Sequence, residues 1–177
     1  GPAYGGSCFP KDTKALVDTA KIFKTNLSIV KSVIKSNNDR KLLLTNRVKR
    51  ILKNKIKNKI ITFLGVTFKP NTDDMRESSS LLMIPHLHKM GSKIRYFDPS
   101  GEKKNFKNLK NIKFFKDISS ACLKSDLIII HTEWNEFKLL NFKKLVKKNN
   151  FIIYDMRNVY SPIKMAKEKI KYIGIGR

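Results

Sequence analysis

Cysteine is nearly absent from this 177-residue chain: Cys8 and Cys122 stand far apart and outside any metal-ligand spacing, so neither a disulfide framework nor a zinc ribbon is expected. No run approaches the 18 or so apolar residues of a membrane span, and the longest, Leu127 to Ile130, is strand-sized. A charged-then-apolar leader is missing too, which leaves no secretory signal to expect and places the chain in the cytoplasm. There is no initiator methionine, so Gly1-Pro2 reads as the start of a fragment or as a tag scar. Acidic residues are scarce, 14 against 38 Lys and Arg, for a formal charge of +24. The 41% hydrophobic content is nonetheless too high for a disordered polycation, and it suits one ordinary core with a small appended element.

That charge raises nucleic acid as a partner, but its distribution argues against it. The net charge is +11 over residues 1–58 and +13 over residues 59–177, with no basic tail. Of the 38 basic residues 31 are Lys and 7 are Arg, whereas phosphate and base readout favours the bidentate fork of Arg. Chain-wide Lys, Asn and Ile look like compositional bias.

Hydrophobic spacing divides the chain in two. Residues 1–10 form a Gly/Pro-rich loop, after which Asp12 or Thr13 caps a predicted helix running to about Phe23. From Ser28, apolar residues at three- and four-residue steps (Val30, Val33, Ile34, Leu44, Val48, Ile51) predict a helix of about 25 residues, with Asn37-Asn38 as its weak point. A helix so long and apolar on one stripe packs against another helix or subunit. After Lys59 the period changes. Strands are predicted at 60–66, 93–97, 113–115, 126–131, 151–155 and from Tyr172. Helices are predicted at 78–90, through Leu82, Ile84, Leu87 and Met90, and at 117–122, 142–147 and 162–169, while Lys103 to Lys116 reads as a basic surface stretch. The expected fold is α/β: a helical segment, residues 1–56, followed by a doubly wound, mostly parallel Rossmann-like sheet, residues 57–177.

Two stretches carry chemistry. The loop after the first strand, Val66 to Ser80, lacks the Gly-x-Gly-x-x-Gly of a dinucleotide site and offers Lys69, Arg76 and a serine-rich helix start to anionic oxygens. Arg157, after the strand at 151–155, emerges at the same edge. The competing reading is solvated charge with Ser78 as a helix cap. The other stretch is Tyr4-Gly-Gly-Ser-Cys-Phe-Pro-Lys-Asp12. Gly5 and Gly6 allow close backbone approach, and Cys8 stands ahead of a helix start and near Lys11, both of which favour a nucleophilic thiolate. Cys8 is otherwise a small buried hydrophobe, and Asp12 either orders a water or caps the helix. Cys122 is expected in the core, His131 as satisfied polar packing, and Trp134 with Phe137 as a packing cluster. His86 and His88, at i and i+2, fall on different helix faces, so no metal site is expected.

These stretches, in this order, resemble the nucleotide-sugar dehydrogenases of the UDP-glucose/GDP-mannose dehydrogenase family. Gly1 to Asp12 is similar to the family's catalytic-cysteine signature, and Phe63 to Ser80 to its substrate-domain signature; Tyr96-Phe-Asp-Pro99, Thr132-Glu-Trp134 and Asp155 to Tyr160 also fall in place. The resemblance covers the whole chain, makes Gly1-Pro2 native sequence, and through Cys8-Phe9-Pro10-Lys11 favours the UDP-glucose branch over the GDP-mannose branch. It implies NAD-dependent oxidation of UDP-glucose to UDP-glucuronate, a step toward polysaccharides, through a Cys8 thiohemiacetal and thioester, with Asp12 assisting water and proton transfers. By the same resemblance Tyr4 and Gly5 line the sugar, Lys69 and Arg157 hold UDP, Lys11 and Arg76 reach NAD, and helix 28–53 forms a homodimer. The family's amino-terminal NAD-binding half is missing, so the expectation is a carboxy-terminal part inactive alone. The alternatives are a non-catalytic nucleotide-sugar-binding or dimerisation module, or the corresponding part of a GDP-mannose enzyme.

Overall fold

The computed structural model describes residues 1–176. Helix α1 spans Phe9–Ile22 and begins earlier than Asp12 or Thr13. Pro10 lies inside its first turn, where no backbone N–H is needed, and Cys8 takes the N-cap position. Asp12 is therefore a first-turn acid whose N–H donates to the Cys8 carbonyl at 2.8 Å, and Thr13 bonds back to the Phe9 carbonyl. Helix α2, Ser28–Ile51, runs through Asn37-Asn38 unbroken. Asn37 is buried because its amide pairs with the Tyr4 backbone, accepting from the N–H at 2.9 Å and donating to the carbonyl at 3.1 Å. The carboxyl half of α2 buries Lys41, Leu44, Thr45 and Val48, but Ile29 and Val33 in its amino half are exposed. Val30 and Ile34 of the expected stripe are half-buried, and Val33 is left exposed.

The remaining elements alternate: β1 Ile60–Leu64, α3 Ser80–Lys89, β2 Lys93–Phe97, α4 Lys104–Lys107, β3 Ile112–Phe114, α5 Ile118–Cys122, β4 Leu127–Ile130, a 3-10 turn Asn135–Phe137, α6 Phe142–Val146, β5 Ile152–Asp155, α7 Pro162–Lys167 and β6 Lys171–Gly174. All strand pairs are parallel, in the order β3-β2-β1-β4-β5-β6. Two-residue alternation divides each central strand between two cores. Ile61, Phe63, Leu127 and Ile129 meet Leu44 and Val48 of α2 and Met83, Ile84 and Leu87 of α3. Leu64, Ile128, Ile130 and Ile153 meet Ala121 and Cys122 of α5, Phe142 and Val146 of α6, and Met165 of α7. Each such side chain contributes about 2 kcal/mol by leaving water, so both faces are needed. Thr62 is accommodated on the second face because its hydroxyl bonds the Ala121 carbonyl and Ser125 Oγ.

Two expectations change. In α3 the buried stripe is Ser80, Met83, Ile84 and Leu87, whereas Leu82 and Met90 are only half-buried. Lys103 to Lys116 is no mere surface stretch: Phe106 is buried against Tyr96, and Lys103 is buried beside Asp98. Cys122 and Phe137 are buried as expected, with Trp134 packed against the same core.

Candidate functional site

The chain leaves β1 for β2 on one side and returns to β4 on the other, so the carboxyl ends of β1 and β4 flank the topological switch point, where open α/β sheets bind ligands. Gly65 closes this corner at φ +74°; a Cβ there would sit 2.5 Å from Thr132 Cβ, so only glycine lets the two exit loops touch. Thr132 Oγ1 then donates to the Thr67 carbonyl at 2.7 Å. The three serines at the start of α3 face inward. Ser78 and Ser80 hydroxyls donate to the Val66 carbonyl at 2.7 and 2.5 Å, and Ser79 Oγ lies 2.8 Å from His131 Nε2. All three are buried, with their hydroxyls committed within the protein; Ser78 Oγ also takes the Ser80 N–H at 3.4 Å, while the N-cap residue Ser79 makes no side-chain cap bond.

His131 is satisfied polar packing, as expected. Because the Thr132 hydroxyl is spent on Thr67, it can only accept from His131 Nδ1, which fixes Nδ1 as the protonated nitrogen and Nε2 as the acceptor for Ser79. Burial, and after it the Arg157 charge, pushes the imidazole from 6.5 down to about 3. An unfolded chain therefore takes up a proton below pH 6.5 that the folded imidazole refuses. Stability is complete above that pH and falls as pH drops, at up to about 1.4 kcal/mol per unit for this group. Urea unfolding at pH 7 and pH 5 should show this loss in the native chain and a smaller one in His131→Asn; equal losses would remove His131 as the cause.

Arg157 is half-buried and crosses the edge. Its Nε donates to the His131 carbonyl at 2.9 Å and one Nη to the Phe68 carbonyl at 2.8 Å, while Glu133 Oε2 lies 2.8 Å from Nε. That carboxylate oxygen makes no hydrogen bond, because the Nε–H is directed at His131. Burial lowers the Arg157 pKa and Glu133 opposes the shift. Lys69 follows Phe68, is exposed, and places Nζ 5.3 Å from the Phe68 ring centroid; it forms no ion pair among the described residues. Arg76 is exposed and held in a two-pronged bond by Asp74, Nε to Oδ1 and Nη to Oδ2, both at 2.9 Å. The pair raises Arg76 and lowers Asp74 from their ordinary pKa values. Three guanidinium N–H groups remain free to donate.

The cysteine loop docks on this edge. Gly6 N–H donates to the Arg76 carbonyl at 2.8 Å, and a Cβ on Gly6 would collide with the Phe68 ring at 2.8 Å. Gly5 rests against the Glu77 carbonyl. Tyr4 is half-buried, edge-on to Phe9 with ring centroids 4.8 Å apart. Cys8 is exposed, which excludes the buried-hydrophobe reading; its Sγ lies 3.5 Å from Ser7 Oγ. Lys11 and Asp12 are exposed on the first turn of α1, with no bond to Arg76, Lys69 or Arg157. A groove of about 570 Å³ beside the loop is lined by α2 and takes only Tyr4 from these candidates. Three residues beside the loop carry no sequence signal of a role: Asn37 bonds the Tyr4 backbone, the Glu77 carbonyl lies against Gly5, and Lys41 bonds Glu77.

The model of the UDP-glucose/GDP-mannose dehydrogenase UDP-binding domain matches residues 62–162, more than half of the chain. The chain belongs to the UDP-glucose/GDP-mannose dehydrogenase family. The same family's central-domain model matches residues 1–39. Among family members, the UDP-glucose 6-dehydrogenase of Rhizobium meliloti is 38% identical over 178 residues, covering 100% of this chain and 41% of that protein. That of Rickettsia typhi is 38% identical, over 99% of this chain and 41% of its own length. The solved UDP-glucose dehydrogenase of Pyrobaculum islandicum superposes with a TM-score of 0.80 at 28% identity, covering 98% of this chain and 38% of that one. This family member thus spans about two-fifths of the length of the relatives it matches. Among the described residues no cluster of His, Cys, Asp or Glu could hold a metal ion, and no helix is long and apolar enough to cross a membrane.

Proposed function

We propose that this chain is the UDP-sugar-binding and cysteine-bearing part of a UDP-glucose 6-dehydrogenase. The observation carrying the reading is the Gly6 N–H to Arg76 carbonyl bond, which seats the Cys8 loop on the sheet edge that presents Lys69 and Arg157. Lys69 and the remaining Nη of Arg157 neutralise the diphosphate, and Tyr4 and Gly5 border the sugar. The exposed Cys8 thiolate adds to the C6 aldehyde to give a thiohemiacetal, whose oxidation leaves a thioester. Water attacks the thioester carbonyl with Asp12 assisting its deprotonation, the C–S bond breaks, and the carboxylate of UDP-glucuronate leaves with Cys8 regenerated. NAD, when bound, accepts a hydride in each of the two oxidations. The three remaining donors of Arg76 and the exposed Lys11 ammonium, which has no ion pair among the described residues, suit contacts to its phosphates, but the chain has no Gly-x-Gly-x-x-Gly loop, so turnover needs the family's dinucleotide-binding half.

We read residues 1–56 as a helical dimerisation segment and 57–177 as the UDP-binding domain. Exposed Leu16, Ile22, Phe23, Ile29, Val33, Leu42 and Leu43 on the first segment support a partner surface. A non-catalytic binding module shares the same UDP site and lacks only the turnover.

Calorimetry of this chain should show UDP and UDP-glucose binding more tightly than GDP-mannose. Lys69→Ala, at an exposed position, should weaken UDP about tenfold, the loss of one charge-assisted contact. Absence of UDP binding, or unchanged affinity in Lys69→Ala and Arg157→Lys, would remove the site. UDP-glucose-dependent NADH formation on adding the dinucleotide-binding half separates the enzyme from the binding module.

A further inference from the structure

The junction between the two helices and the sheet converges on a residue with no part in binding or chemistry. Glu77, at the end of the β1–α3 loop, is gripped from both helices: Lys14 Nζ of α1 lies 2.9 Å from Oε1, and Lys41 Nζ of α2 lies 2.7 Å from Oε2. The Lys41 side chain is only 8% exposed, and Glu77 is its carboxylate partner. The two ammonium groups, Lys41 foremost, hold the Glu77 carboxyl below its ordinary pKa, so the carboxylate stays charged.

The backbone at Glu77 takes a turn as well. Its φ of +56° lies in the left-handed region that side chains with a Cβ disfavour; twelve other non-glycine residues share a positive φ, but at Glu77 the turn coincides with the two ion pairs. In this turn the Glu77 carbonyl faces Gly5, where an added Cβ would come within 2.8 Å, and the preceding Arg76 carbonyl accepts the Gly6 N–H. The loop 1–8 therefore has two different anchors. Tyr4 is bonded to Asn37 of α2, within the helical segment, whereas Gly6 is bonded to the sheet segment next to Glu77.

We propose that Glu77 is a positioning residue whose bonds to Lys14 and Lys41 enforce the left-handed turn, and through it hold the Gly5–Gly6 backbone and Cys8 over the carboxyl edge of the sheet. The role of that placement in catalysis rests on the function proposed above; the placement itself does not. Amide hydrogen exchange at single-residue resolution, on the chain as it stands, reads it directly. In Glu77→Gln the Gly6 amide should exchange about tenfold faster, corresponding to weakening of two charge-assisted contacts, while the Tyr4 amide and the amides of β1 and β4 stay within about threefold of native. Lys14→Met removes only the exposed contact, leaves no buried charge unpaired, and should accelerate Gly6 about threefold. Glu77→Gly removes the clamp and, with it, the penalty on the left-handed turn, so it should accelerate Gly6 less than Glu77→Gln does. Native protection of Gly6 in Glu77→Gln, or faster exchange in Glu77→Gly than in Glu77→Gln, would overturn the proposal, as would equal acceleration of Tyr4 and the strands, which would mark general destabilisation. In the enzyme completed with the dinucleotide-binding half, Glu77→Gln should lower kcat with little change in KM for UDP-glucose. A Gly6 response without Cys8-dependent turnover would leave the clamp standing and remove the catalytic reading; a silent Gly6 would remove the clamp whatever the enzyme does.

Discussion

Cys8→Ser should abolish UDP-glucose-dependent NADH formation by enzyme completed with the dinucleotide-binding half, lowering kcat at least about a thousandfold, or about 4 kcal/mol in the barrier. A serine hydroxyl stays protonated where a thiol supplies a thiolate, and it is a poorer nucleophile toward the C6 aldehyde. The substitution is otherwise undemanding. Cys8 is exposed, and among the described residues its Sγ has a single side-chain hydrogen-bond contact, Ser7 Oγ at 3.5 Å, so folding stability should stay within about 0.5 kcal/mol of native. UDP affinity should also be unchanged, because Lys69 and Arg157 are untouched. Turnover within about tenfold of native in a folded, UDP-binding Cys8→Ser enzyme would exclude the thiohemiacetal route.

Asp98→Ala should be the most destabilising single change near the site, at about 3–5 kcal/mol and a fall in Tm of about 10 °C. Asp98, at the carboxyl end of β2, is buried. One oxygen accepts from the Val66 N–H at 2.8 Å, and the other from the Ser100 N–H and hydroxyl at 3.0 and 2.5 Å. The buried Lys103 ammonium lies 3.7 Å away and donates to Ser100 Oγ at 2.6 Å. Alanine would strand the Lys103 charge and leave the Val66 N–H, where the loop to Lys69 begins, without its acceptor. Asp98→Asn keeps an acceptor for Val66 and should cost less. Adding Lys103→Met to Asp98→Ala should recover part of the loss, since removing both charges costs less than orphaning one. Urea and thermal unfolding measure all three; a loss below about 1 kcal/mol in Asp98→Ala would mean that water reaches the pair.

The elements of the sheet were legible from residue spacing because strands such as Leu127 to Ile130, buried on both faces, are apolar without interruption. Helix ends were less so. Pro10, which breaks a helix in its interior, fits its first turn, so α1 starts before it and the cap-like Asp12 and Thr13 lie inside the helix. The apolar positions of α3 admitted neighbouring stripes, and packing on β1 and β2 chose Met83 over Leu82. Serines 78–80 suit phosphate by residue type; the inward direction of Ser78 and Ser80 depends on the Val66 carbonyl, fourteen residues before Ser80, and that of Ser79 on His131, fifty-two residues on.

The residue identities alone carried the parallel α/β class and the family resemblance through Cys8 and its glycines, since each rests on local pattern or on chemistry within a few positions. Which groups face one another was decided by the fold. Glu77 meets Lys14 and Lys41 across separations of 63 and 36 residues, Arg157 reaches the Phe68 carbonyl across 89, and Asp98 reaches the Val66 N–H across 32. Such contacts leave no periodic trace, because an ion pair or a carbonyl bond asks only that two chain segments be adjacent in space, and the sheet order supplies that adjacency.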